Sequence, residues 1–212
     1  MIKTAMEAAK TKTLMNKVLR EIGEWVAVFA AAFILVLLLN TAVFATTQVR
    51  QTSMMDTLME GQHLLVEKLG YMFSKPSRGD IIVFIEGKYT VSYLDKIKIF
   101  VTDISEILEP AERKTNIRLV KRVIGIPGDE IDIREGNVYV NGTPLEENYI
   151  KGKTLQREMH FPITVEKDKY FVLGDNREVS KDSRTFGLID SRQIEGRVVY
   201  RFWPLRVMGI VK

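Results

Sequence analysis

Two residues far apart in the chain, Ser53 and Lys121, stand where hydroxyl chemistry could be done. A serine hydroxyl is a poor nucleophile until a base takes its proton. Histidine is the usual base, but the chain has only His63 and His160, and no Asp or Glu is evident to orient either one. Lysine can take that part only if it is neutral near pH 7, which needs burial among apolar groups. If residues 117–125 form a strand, Ile117, Leu119, Lys121 and Val123 share one face, and Arg118, Val120, Arg122 and Ile124 share the other. Lys121 is then the one charge on an otherwise apolar face. A lone lysine on an edge strand is usually solvated, and most serines between two segments are loop residues. The pattern therefore poses a serine–lysine pair without deciding it.

The elements that must hold this pair come in two parts. Trp25 to Val49 contains no charged residue, and its core, Trp25 to Phe44, is strongly apolar. About 20 helical residues span roughly 30 Å, the thickness of a bilayer core. A cleaved signal peptide is the rival reading, and Ala42 to Ala45 imitates a cleavage site, but the run is too long for one. Lys3, Lys10, Lys12, Lys17 and Arg20 outnumber Glu7, Glu21 and Glu24 ahead of it, which favours a cytoplasmic N-terminus. The expected division is a cytoplasmic segment over 1–24, a transmembrane helix over 25–46 and an extracytoplasmic domain over 47–212. Ser53 would then lie close to the membrane surface.

The outer part reads as strands: 64–66, 81–84, 118–124, 138–140, 170–173, 197–202 and 207–211 are short apolar or alternating runs between turn signals. Asn141-Gly142 marks a tight hairpin. The fold class expected is mainly β, with partly closed antiparallel sheets and one N-terminal transmembrane helix. Leu94, Ile97, Val101, Ile104 and Leu108 break this pattern with helical spacing, so a helical insertion is expected over about 89–115, stopped by Pro110.

Composition narrows the chemistry. The 212 residues carry a net charge of +4 without a basic block, which argues against nucleic acid. The absence of cysteine removes disulfides and a thiol nucleophile. Two histidines make a multi-histidine metal site improbable, and no cofactor is expected.

Four ordered motifs carry a resemblance. Ser53-Met54-Met55-Asp56-Thr57-Leu58 is similar to Ser-Met-x-Pro-Thr-Leu, with Asp56 in place of proline. Gly79 to Phe84, Lys121 to Asp129, and Gly174 to Gly187 follow in order. Together they resemble bacterial type I signal peptidase of the single-span kind, over about 47–212.

The resemblance implies a Ser53 nucleophile and a Lys121 general base. It implies that Ser180 hydrogen-bonds and orients the lysine, that Asp182 and Arg184 form a structural ion pair, and that Asp175 supports the same region. The Ser53 N–H would be part of an oxyanion hole; Gln51 departs from the Ser or Gly of relatives at a position that completes the hole in some of them. Val49, Leu58, Leu119 and Val120 match positions lining shallow apolar substrate pockets, and Met54 and Trp203-Pro204 match places that touch substrate or lipid. Substrates would be secretory preproteins with small residues at −1 and −3. The secretion translocon and membrane lipid would be partners, with the enzyme in the plasma membrane. Three departures stand out: Asp56 brings a carboxylate toward Lys121, Glu178-Val179 replaces Asp-Asn, and Phe186 replaces Trp. The alternative from another class is an inactive relative acting as an assembly factor, for example in pilin handling.

Overall fold

The computed structural model describes residues 2–86 and 118–211; for residues 2–14, 37–42 and 72 it describes the backbone alone. The helix expected over 89–115 lies outside the described residues. The chain divides into two compact units, 1–40 and 41–212.

The first unit is helical. Helix α1 runs Ile2–Ala42. Trp25, Phe29 and Phe33 on it are exposed, and Trp25 and Phe29 touch, with ring centroids 6.2 Å apart. Among the described residues no helix is long and apolar enough to cross a membrane. The side chains of residues 37–42, which belong to the uncharged run, lie outside the described residues. The helix also ends earlier than the run: Phe44, Ala45 and Thr46, expected in the span, are strand residues.

The second unit is built from antiparallel strands. The larger sheet has the order β1-β2-β11-β3-β4-β9-β10, with β12 on β11. Its strands are β1 (Phe44–Gln48), β2 (His63–Glu67), β3 (Ile81–Ile85), β4 (Arg118–Gly125), β9 (Lys169–Leu173), β10 (Ile189–Asp190), β11 (Ile194–Trp203) and β12 (Gly209–Ile210). The smaller sheet has the order β7-β6-β5-β8, from β5 (Glu130–Arg134), β6 (Asn137–Val140), β7 (Thr143–Pro144) and β8 (Ile163–Thr164). Among the described residues of this unit are two one-turn α-helices, α2 (Gly70–Phe73) and α3 (Ser183–Phe186). The expected Asn141-Gly142 hairpin joins β6 to β7: both residues have positive φ, 52° and 78°, as a two-residue turn of this hand requires.

Side-chain alternation explains why β3 reads as an unbroken apolar run. Ile81 and Val83 enter one cluster with Val49, Met54, Leu58 and Leu64. Ile82 and Phe84 enter another with Leu119, Val123, Tyr170 and Val172. A strand buried on both faces loses its period-two pattern. A third cluster, around Ile124, Ile131, Val138, Phe171 and Leu173, joins β4 and β9 to the smaller sheet. Burying each such side chain contributes roughly 1.5–3 kcal/mol.

Candidate active site

Pairing of β3 with β4 places Lys121 opposite Ile82. Lys121 therefore lies on the face of Leu119 and Val123, as alternation predicts, and it is 0% exposed. Ser53 is in a one-turn 3-10 helix, Thr52–Met54, and is 8% exposed. Although 68 positions apart, the Lys121 Nζ and the Ser53 Oγ lie 2.6 Å from each other. Burial lowers the Lys121 ammonium from its ordinary 10.5 to about 8, against the opposing pull of Asp182, Glu86 and Asp175. A fraction of roughly one tenth is then neutral at pH 7. His63 is elsewhere, against the Phe202 ring with centroids 5.8 Å apart.

The loop after β9 grips the nucleophile turn. Asn176 N–H donates to the Ser53 carbonyl at 3.0 Å, and Asn176 Nδ2 donates to the Thr52 carbonyl at 3.1 Å. Gly174 leaves room for this approach: a Cβ there would collide with the Ser53 carbonyl oxygen and with Ser180 Oγ. Asp175 accepts from Thr57 Oγ1 at 2.6 Å and from Arg122 Nε and Nη2 at 3.0 and 2.8 Å. Arg122 also lies 3.9 Å from the centre of the Tyr149 ring. Asp182 and Arg184, both 0% exposed, form a two-pronged pair at 2.8 and 2.9 Å. The same carboxylate accepts from the Gly174 N–H at 3.1 Å, so the ion pair is tied to the loop that touches Ser53.

Other expected residues are placed differently. Ser180 is buried beside Gly174, but its hydroxyl has no hydrogen-bond partner among the described residues. Lys121 Nζ instead donates to the Val120 carbonyl at 3.2 Å. Val49, Met54 and Leu58 share one cluster with Val120 against it, while Leu119 belongs to the cluster on the other side. Met54 is 1% exposed, so its side chain faces the core and not lipid. Gln51 is exposed and makes no capping hydrogen bond.

Asp56 does not crowd the lysine. Its side chain is 65% exposed and faces Lys151 Nζ at 3.6 Å. Asp56→Asn is therefore expected to leave the acid limb of the pH–rate profile within about 0.2 pH unit of wild type. A larger downward shift would mean that the carboxylate does reach the amine.

Residues to which the sequence assigned no role also hold the frame. Arg122 lies with Val120 and Ile124 on the face opposite Lys121, as alternation places it, and it too is buried. Thr57, Asn176 and the pairing of Arg177 with Glu147 and Thr154 join segments remote in sequence. No single-strand pattern signals those.

A hydroxyl held on the amine of a buried lysine, in a mainly antiparallel β domain, is an arrangement suited to a serine–lysine hydrolase. The family described as signal peptidase, peptidase S26, matches residues 22–203. Signal peptidase IB of Staphylococcus aureus (strain COL) is 34% identical over 201 residues, covering 87% of this chain and 91% of its own. Signal peptidase I of Leptolyngbya laminosa is 36% identical over 186 residues, covering 88% and 82%. A crystal structure of a signal peptidase I from Enterococcus faecalis V583 covers 59% of this chain and 97% of its own, at 29% identity and a TM-score of 0.37. The chain belongs to the signal peptidase family, peptidase S26.

Proposed function

We propose that this chain removes N-terminal signal peptides from secretory preproteins with Ser53 as nucleophile and Lys121 as general base. The observation that carries the reading is the 2.6 Å separation of Ser53 Oγ from a buried, partly neutral amine. The neutral amine takes the Ser53 proton as Oγ bonds to the scissile carbonyl carbon. The resulting ammonium then gives that proton to the leaving amine as the peptide bond breaks, leaving the signal peptide as an ester on Ser53. Water, deprotonated by the same amine, attacks the ester and frees the hydroxyl. The Ser53 N–H stabilises the oxyanion, a contribution of about 10²–10³ in rate where such donors have been removed.

Small substrate side chains at −1 and −3 would meet half-buried Val120, with Val49 and Leu58 packed behind it and Leu119 in the cluster on the other side of the sheet. Met54 belongs with Val49 and Leu58. Asp175, Ser180, Asp182 and Arg184 would support the dyad, and Gln51 would line the oxyanion position. The uncharged run within α1 and the basic residues ahead of it support a single anchor, with a cytoplasmic N-terminus and the β domain outside the plasma membrane. Exposed Trp203, Leu205, Met208 and Ile210 suit contact with lipid headgroups, and the translocon is the expected supplier of substrate. The non-catalytic alternative has no observation in its favour.

Detergent-purified full-length protein is expected to cut a model preprotein carrying an Ala-x-Ala signal after the second Ala, and Ser53→Ala to lose at least about 10³ of the rate. Equal cutting by both would remove Ser53 as nucleophile. Silence from the folded wild type, with a known signal peptidase active alongside, would remove the proposed substrate class.

A further inference from the structure

The connection from β7 to β8 covers residues 145–162, all of them described, and holds no helix or strand beyond one isolated bridge. Loops beyond about 12–15 residues are uncommon in compact domains and ordinarily carry function. This one lies along the active-site loop over 174–184. Lys151 and Asn176 form the bridge, which is parallel. The Lys151 N–H donates to the Asp175 carbonyl at 2.8 Å, and the Arg177 N–H donates to the Lys151 carbonyl at 2.9 Å. Farther on, Arg184 Nη1 donates to the Leu155 carbonyl at 3.2 Å. Asn176 is also the residue whose N–H holds the Ser53 carbonyl.

Two side chains of the connection reach the arginines that frame the site. Glu147, its side chain 4% exposed, accepts from Arg177 Nη1 and Nη2 at 3.0 and 2.5 Å. Arg177 lies wholly inside and donates as well to the Gly174 carbonyl at 3.0 Å. Tyr149 donates its hydroxyl to Glu147 at 2.9 Å, and its ring covers the Arg122 guanidinium. Arg122 holds Asp175, and Asp175 receives Thr57 of the nucleophile turn. Every link from Tyr149 to that turn is thus a direct contact.

Buried ion pairs are poor evidence of stability, since apolar groups of like volume often replace them without loss. Two-pronged contacts to a guanidinium do fix orientation. A strap of this kind suits alignment of Ser53 with Lys121, where an error of about 1 Å can cost about 10² in rate.

We propose that Glu147 and Tyr149 are positioning residues: through Arg177 and Arg122 they set the 174–177 loop and the nucleophile turn, and so hold Ser53 on Lys121. This deepens the reading of Ser53 and Lys121 as nucleophile and base, and rests on it.

Glu147→Gln strands the buried guanidinium and endangers the fold, so Tyr149 is the informative position. Tyr149→Leu removes both the ring over Arg122 and the hydroxyl on Glu147. Tyr149→Phe keeps the ring on the cation, and Glu147 keeps its two bonds to Arg177. Full-length proteins in detergent micelles are compared at a temperature where each is fully folded. One readout is amide exchange of peptides spanning 52–58 and 174–177. The other is kcat and KM on a preprotein with an Ala-x-Ala signal. In Tyr149→Leu, exchange in both peptides should rise at least about fivefold, with β3 and β9 unchanged. Its kcat should fall by about ten- to a hundredfold, with KM within about twofold. Tyr149→Phe should stay within about threefold of wild type in both readouts.

That pattern supports the proposal. Unchanged exchange in Tyr149→Leu overturns it. Raised exchange with a wild-type kcat per folded molecule also overturns it, since the strap would then be structural only. Raised exchange in those two peptides, beside a wild type that cuts no preprotein, upholds the strap and removes the proposed activity instead.

Discussion

Lys121→Met is expected to abolish cleavage and, at pH 7, to make the protein more stable. Loss of the base should lower kcat by about 10⁴ or more, because nucleophile and base act as a unit. The stability gain follows from linkage. The amine ionises near 8 in the fold against 10.5 ordinarily. Below about 8 both states are protonated, and folding bears the full cost of burying the charge, about 3 kcal/mol. Between about 8 and 10.5 the unfolded chain binds the extra proton, so wild-type stability rises with pH. Methionine fills similar volume without a charge. It loses the contacts to Ser53 Oγ and the Val120 carbonyl, worth about 1 kcal/mol each, so the net gain is about 1 kcal/mol. Thermal unfolding in detergent at pH 7 and pH 10 checks this: the variant should melt higher at pH 7, and the difference should narrow by pH 10. A variant that melts lower at pH 7 would mean that the amine is well solvated, and the case for its neutrality would fail.

The second large effect lies at Asp182. Its carboxylate holds Arg184 by two prongs, receives the Gly174 N–H and caps α3 through the Arg184 N–H. Asp182→Ala leaves the Arg184 guanidinium buried without its counter-charge, although Arg184 still donates to the carbonyls of Arg177 and Leu155. Removing one partner of such a pair costs about 3–5 kcal/mol. For a domain of this size that is a fall in Tm of about 10 °C. Activity should fall further than the folded fraction does, because Gly174 and Asn176 place the Ser53 carbonyl. The double variant Asp182→Ala/Arg184→Met should recover much of the lost stability, since no charge is then stranded. A double variant as unstable as the single one would show that the cap and the Gly174 hydrogen bond, and not the charge, carry the cost.

The sequence by itself marked seven of the described strands and the chemical types at the site, but not β1, β5, β7, β8 or β10. Asn141-Gly142 marked its hairpin because only certain residues accept positive φ without cost. The strand around Lys121 was legible because alternation is a local property, and it put Lys121 and Arg122 on opposite faces. The four ordered motifs carried the family for the same reason, since each is a short run. Where the uncharged run stops being helix was not legible, because Phe44 to Thr46 are apolar enough for either state and pairing with β2 decides it.

Only the tertiary structure brought Ser53 to Lys121, turned Asp56 outward to Lys151, and set Met54 into the core. It also left Ser180 beside Gly174 and not on the lysine, and gave Glu86 to Lys181. These outcomes share one physical reason. Burial, desolvation and charge pairing are sums over neighbours from distant parts of the chain, and a linear pattern fixes a residue's own face without fixing what stands opposite it.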